Sequence, residues 1–221
     1  LKRPVPAGSA LRTLAGTAEI IRRSAVATVC QSARCPNRAE CWSRRTATFM
    51  ILGDRCTRRC RFCAVDTARP MPPAEDEPER LAEAVSALGL RHVVITAVAR
   101  DDLPDEGAGH FARCIRAVRG RLGDVTVEVL PADFHARREC IELVCSAGVD
   151  IYGHNVETVE RLSSFVRPQA SYQCSLAVLR CVRQVAPHVT VKSGLMVGLG
   201  ESRDEIRQTL ADLLDAGCEL V

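Results

Sequence analysis

Apolar residues recur along this chain in two alternating rhythms. Short continuous runs of aliphatic and β-branched residues alternate with longer stretches whose apolar positions fall three and four apart. The runs read as buried strands over 49–52, 92–98, 126–130, 149–152 and 189–197, most of them flanked by Gly, Pro or Asp. The stretches between read as amphipathic helices. Leu81, Val85 and Leu88 share one face of a helix over 78–88 that stops at Gly89, and Phe111, Ile115, Val118 and Leu122 repeat that spacing. A last helix opens at Ser202 with Glu205 at capping-box distance, presents Ile206, Leu210, Leu213 and Leu214, and closes at Gly217. Upstream, one helical pattern around Leu11, Leu14, Ile20 and Ile21 precedes polar, Arg-rich sequence. Residues 1–45 therefore read as an N-terminal extension lying off the core, and 46–221 as the main domain.

Strand, loop and helix repeated about five times predict an α/β fold, a parallel sheet covered by helices, either open or closed into a partial (β/α) barrel. Functional groups then gather at the C-terminal ends of the strands. The loop after the first strand, the segment 96–102, the segment 154–157 and the segment 198–201 should share one mouth. Residues 218–221 read as the opening of a sixth strand, and a sheet ending mid-strand leaves an unpaired apolar edge, so the chain is expected to be a fragment.

The composition narrows the class of protein. With 221 residues, 47% of them hydrophobic, the chain can bury one sizeable core. A net charge of +3 gives no bulk field for nucleic acid. No apolar run approaches the roughly 20 residues that span a bilayer, so no membrane partner is expected. Twelve cysteines in a chain with long helical patterns and no signal peptide fit a reducing, cytoplasmic setting better than a disulfide scaffold. The sequence begins at Leu1, which leaves room for a targeting segment upstream.

Six of those cysteines form two triplets, Cys30, Cys35 and Cys41, then Cys56, Cys60 and Cys63. Structural zinc wants four ligands, often as CxxC pairs, and the five histidines all lie far downstream of both triplets. The second triplet, CxxxCxxC, instead supplies three thiolates to a cubane 4Fe-4S cluster and leaves one iron open. S-adenosylmethionine can chelate such an iron through its amino and carboxylate groups. One electron then cleaves it to a 5′-deoxyadenosyl radical able to take hydrogen from an unactivated carbon.

The aromatic residue in CRFC, Phe62, resembles the radical S-adenosylmethionine superfamily pattern. The run CQSARCPNRAECWSRRTATFMILGDRCTRRCRFCAV from Cys30 to Val65 closely resembles the lipoyl synthase family, which carries a CxxxxCxxxxxC triplet upstream of CxxxCxxC. VVITAVARDDLPDEGAGHF from Val93, HNVETVERL from His154 and KSGLMVGLGE from Lys192 extend the resemblance over nearly the whole chain. It implies a radical-SAM-type partial barrel with an N-terminal cluster-binding extension. It implies an enzyme that inserts two sulfur atoms, at carbons 6 and 8 of an octanoyl group. The octanoyl group is carried by a lipoyl domain, such as the E2 subunit of a 2-oxoacid dehydrogenase or the H protein of glycine cleavage. By the same resemblance Cys56, Cys60 and Cys63 hold the cluster that cleaves S-adenosylmethionine, while Cys30, Cys35 and Cys41 hold an auxiliary cluster dismantled as sulfur donor. An electron donor such as ferredoxin or flavodoxin and an iron-sulfur carrier complete the implied partners.

Three departures stand out. The family's Arg-Ser-Ser motif, whose serine is the auxiliary cluster's fourth ligand, has no match here; Ser163 and Ser164 lie in another context. Ala99 replaces a usually polar residue, and Glu106 a usual glycine. Phe62, Thr96, Asp101 and Asn155 are expected to bind the cofactor; the ordinary alternatives are turn chemistry for Asp101 and helix capping for Asn155. Glu157 joins them at the mouth. Trp42 is expected to shield the auxiliary cluster. Arg44, Arg45, Arg58, Arg59 and Arg61 form a basic collar expected to receive an acidic carrier domain. The other six cysteines read as buried hydrophobes. Two rival functions remain: another sulfur-inserting radical enzyme, which would need further domains, and a noncatalytic cluster protein, which would not cleave S-adenosylmethionine.

Overall fold

The computed structural model describes residues 7–221; the first six residues of the expected extension lie outside them. The described chain opens with α1 (Ser9–Ser24), strand β1 (Ala27–Thr28) and the short helices α2 (Val29–Ser32) and α3 (Arg38–Ser43), followed by β2 (Thr48–Ile51). Two-residue strands β3 (Arg55–Cys56) and β4 (Asp66–Thr67) precede α4 (Glu77–Leu88), β5 (His92–Ala97), α5 (Ala108–Arg121) and β6 (Thr126–Leu130). Next come α6 (Arg138–Cys145), β7 (Ile151–Gly153), α7 (Glu160–Val166), α8 (Tyr172–Val185), β8 (Thr190–Lys192) and α9 (Arg203–Asp215).

The main sheet runs β1-β2-β5-β6-β7-β8, parallel throughout except for β1, which is antiparallel to β2. Helices cover it, and Phe49, Ile95, Val127, Val129 and Val191 are fully buried. That two-sided burial explains why the strands read as continuous apolar runs rather than alternating ones. The sheet is an open arc of a β/α barrel, as expected. Glycine Gly89 ends α4 in a left-handed conformation at φ 65, and Ser202 and Glu205 form the reciprocal capping box. The predicted strand over 189–197 is only Thr190–Lys192 long, because the chain then leaves the ladder and turns through Gly198 and Gly200 at φ 100 and 106. Leu220 bridges Lys192 in parallel, with the Ser193 N–H donating to its carbonyl at 2.9 Å, where the sixth strand was expected to open.

The N-terminal segment departs from its expected place off the core. Ile21, Val26, Cys30 and Trp42 are buried in the same cluster as the sheet, and β1 pairs Ala27 with Met50 and Thr28 with Phe49. The reason lies in α1: Leu14, Thr17 and Ile21 form a stripe that packs inward, and the Thr17 hydroxyl donates to the Trp42 carbonyl at 2.9 Å.

Candidate active site

The loop bearing Cys56, Cys60 and Cys63 leaves the C-terminal end of β2 and is pinned from three sides. Thr57 N–H donates to the Ala99 carbonyl at 3.1 Å and Arg61 N–H to the Val166 carbonyl at 2.9 Å. Gln169 accepts from the Arg59 N–H at 2.7 Å and donates to the Thr57 carbonyl at 3.3 Å. Within the loop, the Arg58 N–H points at the Cys56 sulfur, 3.4 Å away, and Cys63 N–H donates to the Cys60 carbonyl at 3.1 Å.

Arg58 itself corrects the collar reading. Its guanidinium is buried, not presented to a partner, and forks onto Asp133 at 2.6 and 2.8 Å and onto Asp101 at 2.6 and 3.0 Å. Asp101, expected to bind the cofactor, accepts from Arg58 and from the Thr57 hydroxyl at 2.6 Å and stands behind the residues that line the cavity. Its part is to hold the loop. Glu106, at φ 50, adopts the left-handed backbone for which glycine is the usual residue. The cost is offset by its buried carboxylate, which takes Arg137 at 3.0 Å and His135 at 2.8 Å.

The three cysteines open into a cavity of about 490 Å³. One wall is apolar, with Met50, Val94, Val98 and Leu130. Another is polar, with Thr96, His154, Asn155, Glu157 and Arg167, and Phe62 stands at the rim, 42% exposed. Burial, then the neighbouring Cys56 and Cys63, push the Cys60 thiol up, against the pull of Arg167 and Arg58. The three thiols thus share one small volume. Thr96 donates its hydroxyl to the Leu130 carbonyl at 2.6 Å.

Arg167 is the residue that sequence reasoning missed. It is 4% exposed, donates to the Asn155 carbonyl and the Ser175 hydroxyl, both at 3.1 Å, and has no carboxylate within ion-pair distance among the described residues. Among the described residues its Nε has no hydrogen-bond partner. Burial lowers its pKa, with Glu157 and Cys60 acting the other way. Asn155 does not cap the following helix, since Val159 holds that place. Its side chain hydrogen-bonds Glu157, whose carboxyl is nevertheless pushed up by burial. Gly194 makes room for it: a Cβ there would sit 3.1 Å from Asn155 Oδ1.

His154 contacts the Ser175 hydroxyl at 3.0 Å, and burial lowers its pKa to about 4. A depressed histidine favours the fold above its unfolded pKa of about 6.5 and loses that contribution as pH falls toward 4. Urea unfolding of the apoprotein is therefore expected to show stability falling between pH 6.5 and about 4, and His154→Gln to flatten that slope.

The first triplet lies beside this cavity. Cys30 is buried on α2, Cys35 and Cys41 are half-buried, and Val29 and Ala33 form part of the cavity wall. Trp42 is buried on α3, next to Cys41, with Arg38 over its ring at 5.6 Å. Among the described residues, the groups whose ligand atoms all lie within 4.8 Å are Glu77–His110–Cys114 and Asp101–Glu106–His135. A tetrahedral zinc would draw thiolate sulfurs to about 3.8 Å from one another, and neither triplet is so compact. Ser163, buried in α7, faces Arg167 at 3.5 Å.

Both the sequence and the fold are similar to those of known proteins. The family model for the Radical SAM superfamily matches residues 50–213. The lipoyl synthase of Caldanaerobacter subterraneus subsp. tengcongensis is 53% identical over 201 residues, 91% of this chain and 70% of that protein. That of Rubrobacter xylanophilus is 51% identical over 221 residues, 100% of this chain and 68% of that protein. Among solved structures, methylornithine synthase superposes with a TM-score of 0.63 at 14% identity, covering 97% of this chain and 67% of that one. The maturase of the [FeFe]-hydrogenase gives 0.57 at 15%, covering 92% and 52%. These two likenesses speak for the fold; the identity to the curated enzymes speaks for the family, and the chain belongs to the lipoyl synthase family of the radical SAM superfamily.

Proposed function

We propose that Cys56, Cys60 and Cys63 hold the 4Fe-4S cluster that this superfamily uses with S-adenosylmethionine. The observation that carries the reading is the meeting, in one cavity, of three thiols and a buried guanidinium that has, among the described residues, no carboxylate at ion-pair distance. The donor set fits the group: three thiols leave one iron free, and the orphaned Nε of Arg167 beside them suits a carboxylate. When bound, the cluster supplies the single electron that cleaves S-adenosylmethionine. The chain's own residues do the rest. Arg167 supplies positive charge, Asn155 and Glu157 offer hydrogen bonds to hydroxyls, and Thr96 fixes the strand end beneath them. Met50, Val94, Val98 and Leu130 give an aliphatic chain a dry wall, which keeps water from a reactive carbon.

The substrate of the family is a protein-bound octanoyl group, and sulfur insertion is the activity. In our reading Cys30, Cys35 and Cys41 hold a second, sacrificial cluster, and α2 lets it face the same cavity. The carrier domain docks on a smaller rim than the collar foreseen. Arg59 and Arg61 are exposed beside the mouth, and Arg61 stacks over the exposed Phe165 ring at 3.9 Å. Arg44 is engaged with Glu40 at 3.2 Å. Reversing Arg59 and Arg61 together to Glu is expected to weaken binding of an octanoylated carrier domain about tenfold at low salt and to remove most of its salt dependence. Titration at two ionic strengths reads this directly.

The test of the whole reading is iron and sulfide per chain after anaerobic reconstitution, followed by reduction with S-adenosylmethionine present. About eight irons and formation of 5′-deoxyadenosine support two clusters. About four irons removes the auxiliary cluster, and zinc in place of iron removes both.

A further inference from the structure

We infer that Glu77, backed by His110 and Arg113, is a positioning residue that clips shut the base of the loop carrying Cys56, Cys60 and Cys63; the inference rests on the cluster assignment above. Leu52 ends the β2 run in a left-handed conformation at φ 68, an unfavourable one for leucine. Both sides of its backbone are held. The Leu52 N–H donates to Glu77 Oε2 at 2.8 Å, and the Leu52 carbonyl accepts from Arg100 Nη1 at 3.1 Å. Glu77 is the first residue of α4, so the first bond joins the residue before loop 53–76 to the residue after it.

The two arms are themselves braced. Arg100, 1% exposed, forks onto Asp102 with two bonds of 2.8 Å. Glu77 Oε2 meets His110 Nε2 at 2.6 Å, and His110 Nδ1 meets Arg113 Nη2 at 2.9 Å. A guanidinium only donates, so Nδ1 accepts, the imidazole proton sits on Nε2, and His110 donates to Glu77. His110 thereby relays Arg113 onto the carboxylate. The Leu52 side chain is trapped as well, because a Cβ on Gly107 would come within 2.3 Å of its Cδ1. Glu77, His110 and Cys114 make a compact set that could ligate a metal. Glu77 Oε2 and both imidazole nitrogens are already committed, which favours a hydrogen-bonded relay. Loop entry and exit are therefore fixed before iron arrives, and the cysteines need little further ordering to receive it.

The test uses hydrogen exchange of the Leu52 amide in the apoprotein and the rate at which the iron-sulfide chromophore appears during reconstitution. Glu77→Leu is expected to speed Leu52 exchange about tenfold and to slow iron uptake by a similar factor, with amides in β5 and β6 unchanged. Glu77→Gln keeps an acceptor in place and should recover most of both. Arg113→Met, at an exposed position, should give about a threefold effect of the same sign even if Glu77→Leu fails to fold. Wild-type exchange at Leu52 in Arg113→Met and in any folded Glu77→Leu protein overturns the clip. So does protection lost equally across the sheet, which would mean a merely structural role. Failure of the wild-type protein to take iron at Cys56, Cys60 and Cys63 instead sinks the cluster assignment, while the exchange measurement still decides the clip.

Discussion

Cys60→Ala is expected to abolish formation of 5′-deoxyadenosine, to below about one part in a thousand of wild type, while leaving roughly half of the iron bound. The asymmetry comes from where the two triplets sit. Cys60 is at the centre of its loop, where burial and the flanking Cys56 and Cys63 push its thiol up and Arg167 and Arg58 counter them. Removing it leaves two thiols, too few for a cubane. Cys30, Cys35 and Cys41 belong to α2, α3 and the turn between, where the Cys35 N–H donates to the Cys30 carbonyl at 3.3 Å and the Cys41 N–H to the Asn37 carbonyl at 2.9 Å. The complementary variant, Cys35→Ala, should keep S-adenosylmethionine cleavage near wild type and abolish sulfur insertion. Cleavage and lipoyl product, both quantified by mass spectrometry on reconstituted protein, decide the matter. Lipoyl product from Cys35→Ala would end the assignment of the first triplet as sulfur donor.

The meeting of Cys56, Cys60 and Cys63 at one cavity was legible because their spacing puts them on one loop, and so were the strands, whose two-sided burial leaves continuous apolar runs. What the sequence concealed lies in contacts between distant segments. Arg167 carries no motif; its meaning comes from burial between α7 and α8 with, among the described residues, no carboxylate at ion-pair distance and only the more distant Glu157 and Asp133 to balance it. Arg58 looked like part of a surface collar because five arginines crowd the sequence around the two cysteine triplets. Only the fold brings Asp133, 75 residues downstream, against it. The N-terminal segment misled for a similar reason: Cys30 and Trp42 sit in polar sequence, yet β1 draws them under the sheet edge. Glu106 shows the reverse, a substitution visible in sequence whose effect is carried by His135 and Arg137, which chain order alone does not place beside it.

Arg58→Met should be the most destabilising single change at the site that spares the cysteines. The arginine and Asp133 are both almost wholly buried, with side chains 6% and 3% exposed, so removing one partner leaves a buried carboxylate unpaired, at a cost of about 3–5 kcal/mol. The pH dependence identifies the cause. In the wild type, burial pushes the Asp133 carboxyl up, but the hydrogen-bonded Arg58 outweighs it and holds it below the usual range. That contribution is complete above the unfolded carboxylate pKa of about 3.9 and is lost as pH falls through the folded value. In Arg58→Met burial, the largest influence on this carboxyl, is opposed only by the weaker pulls of the His135 N–H and His154, so the carboxyl is expected to titrate above its unfolded value, and the destabilisation should be largest near neutrality and shrink on acidification toward pH 5. Urea midpoints at pH 7 and pH 5 would show the reversed slope; parallel slopes would remove the buried pair as its origin. Adding Asp133→Asn should recover more than half of the lost stability, because a neutral amide costs less to bury than a carboxylate. It should not recover iron uptake at Cys56, Cys60 and Cys63, because the loop still lacks the guanidinium that ties it to the ends of β5 and β6. A refolded double variant with restored iron would instead make Arg58 a stabilising residue with no part in presenting the cysteines.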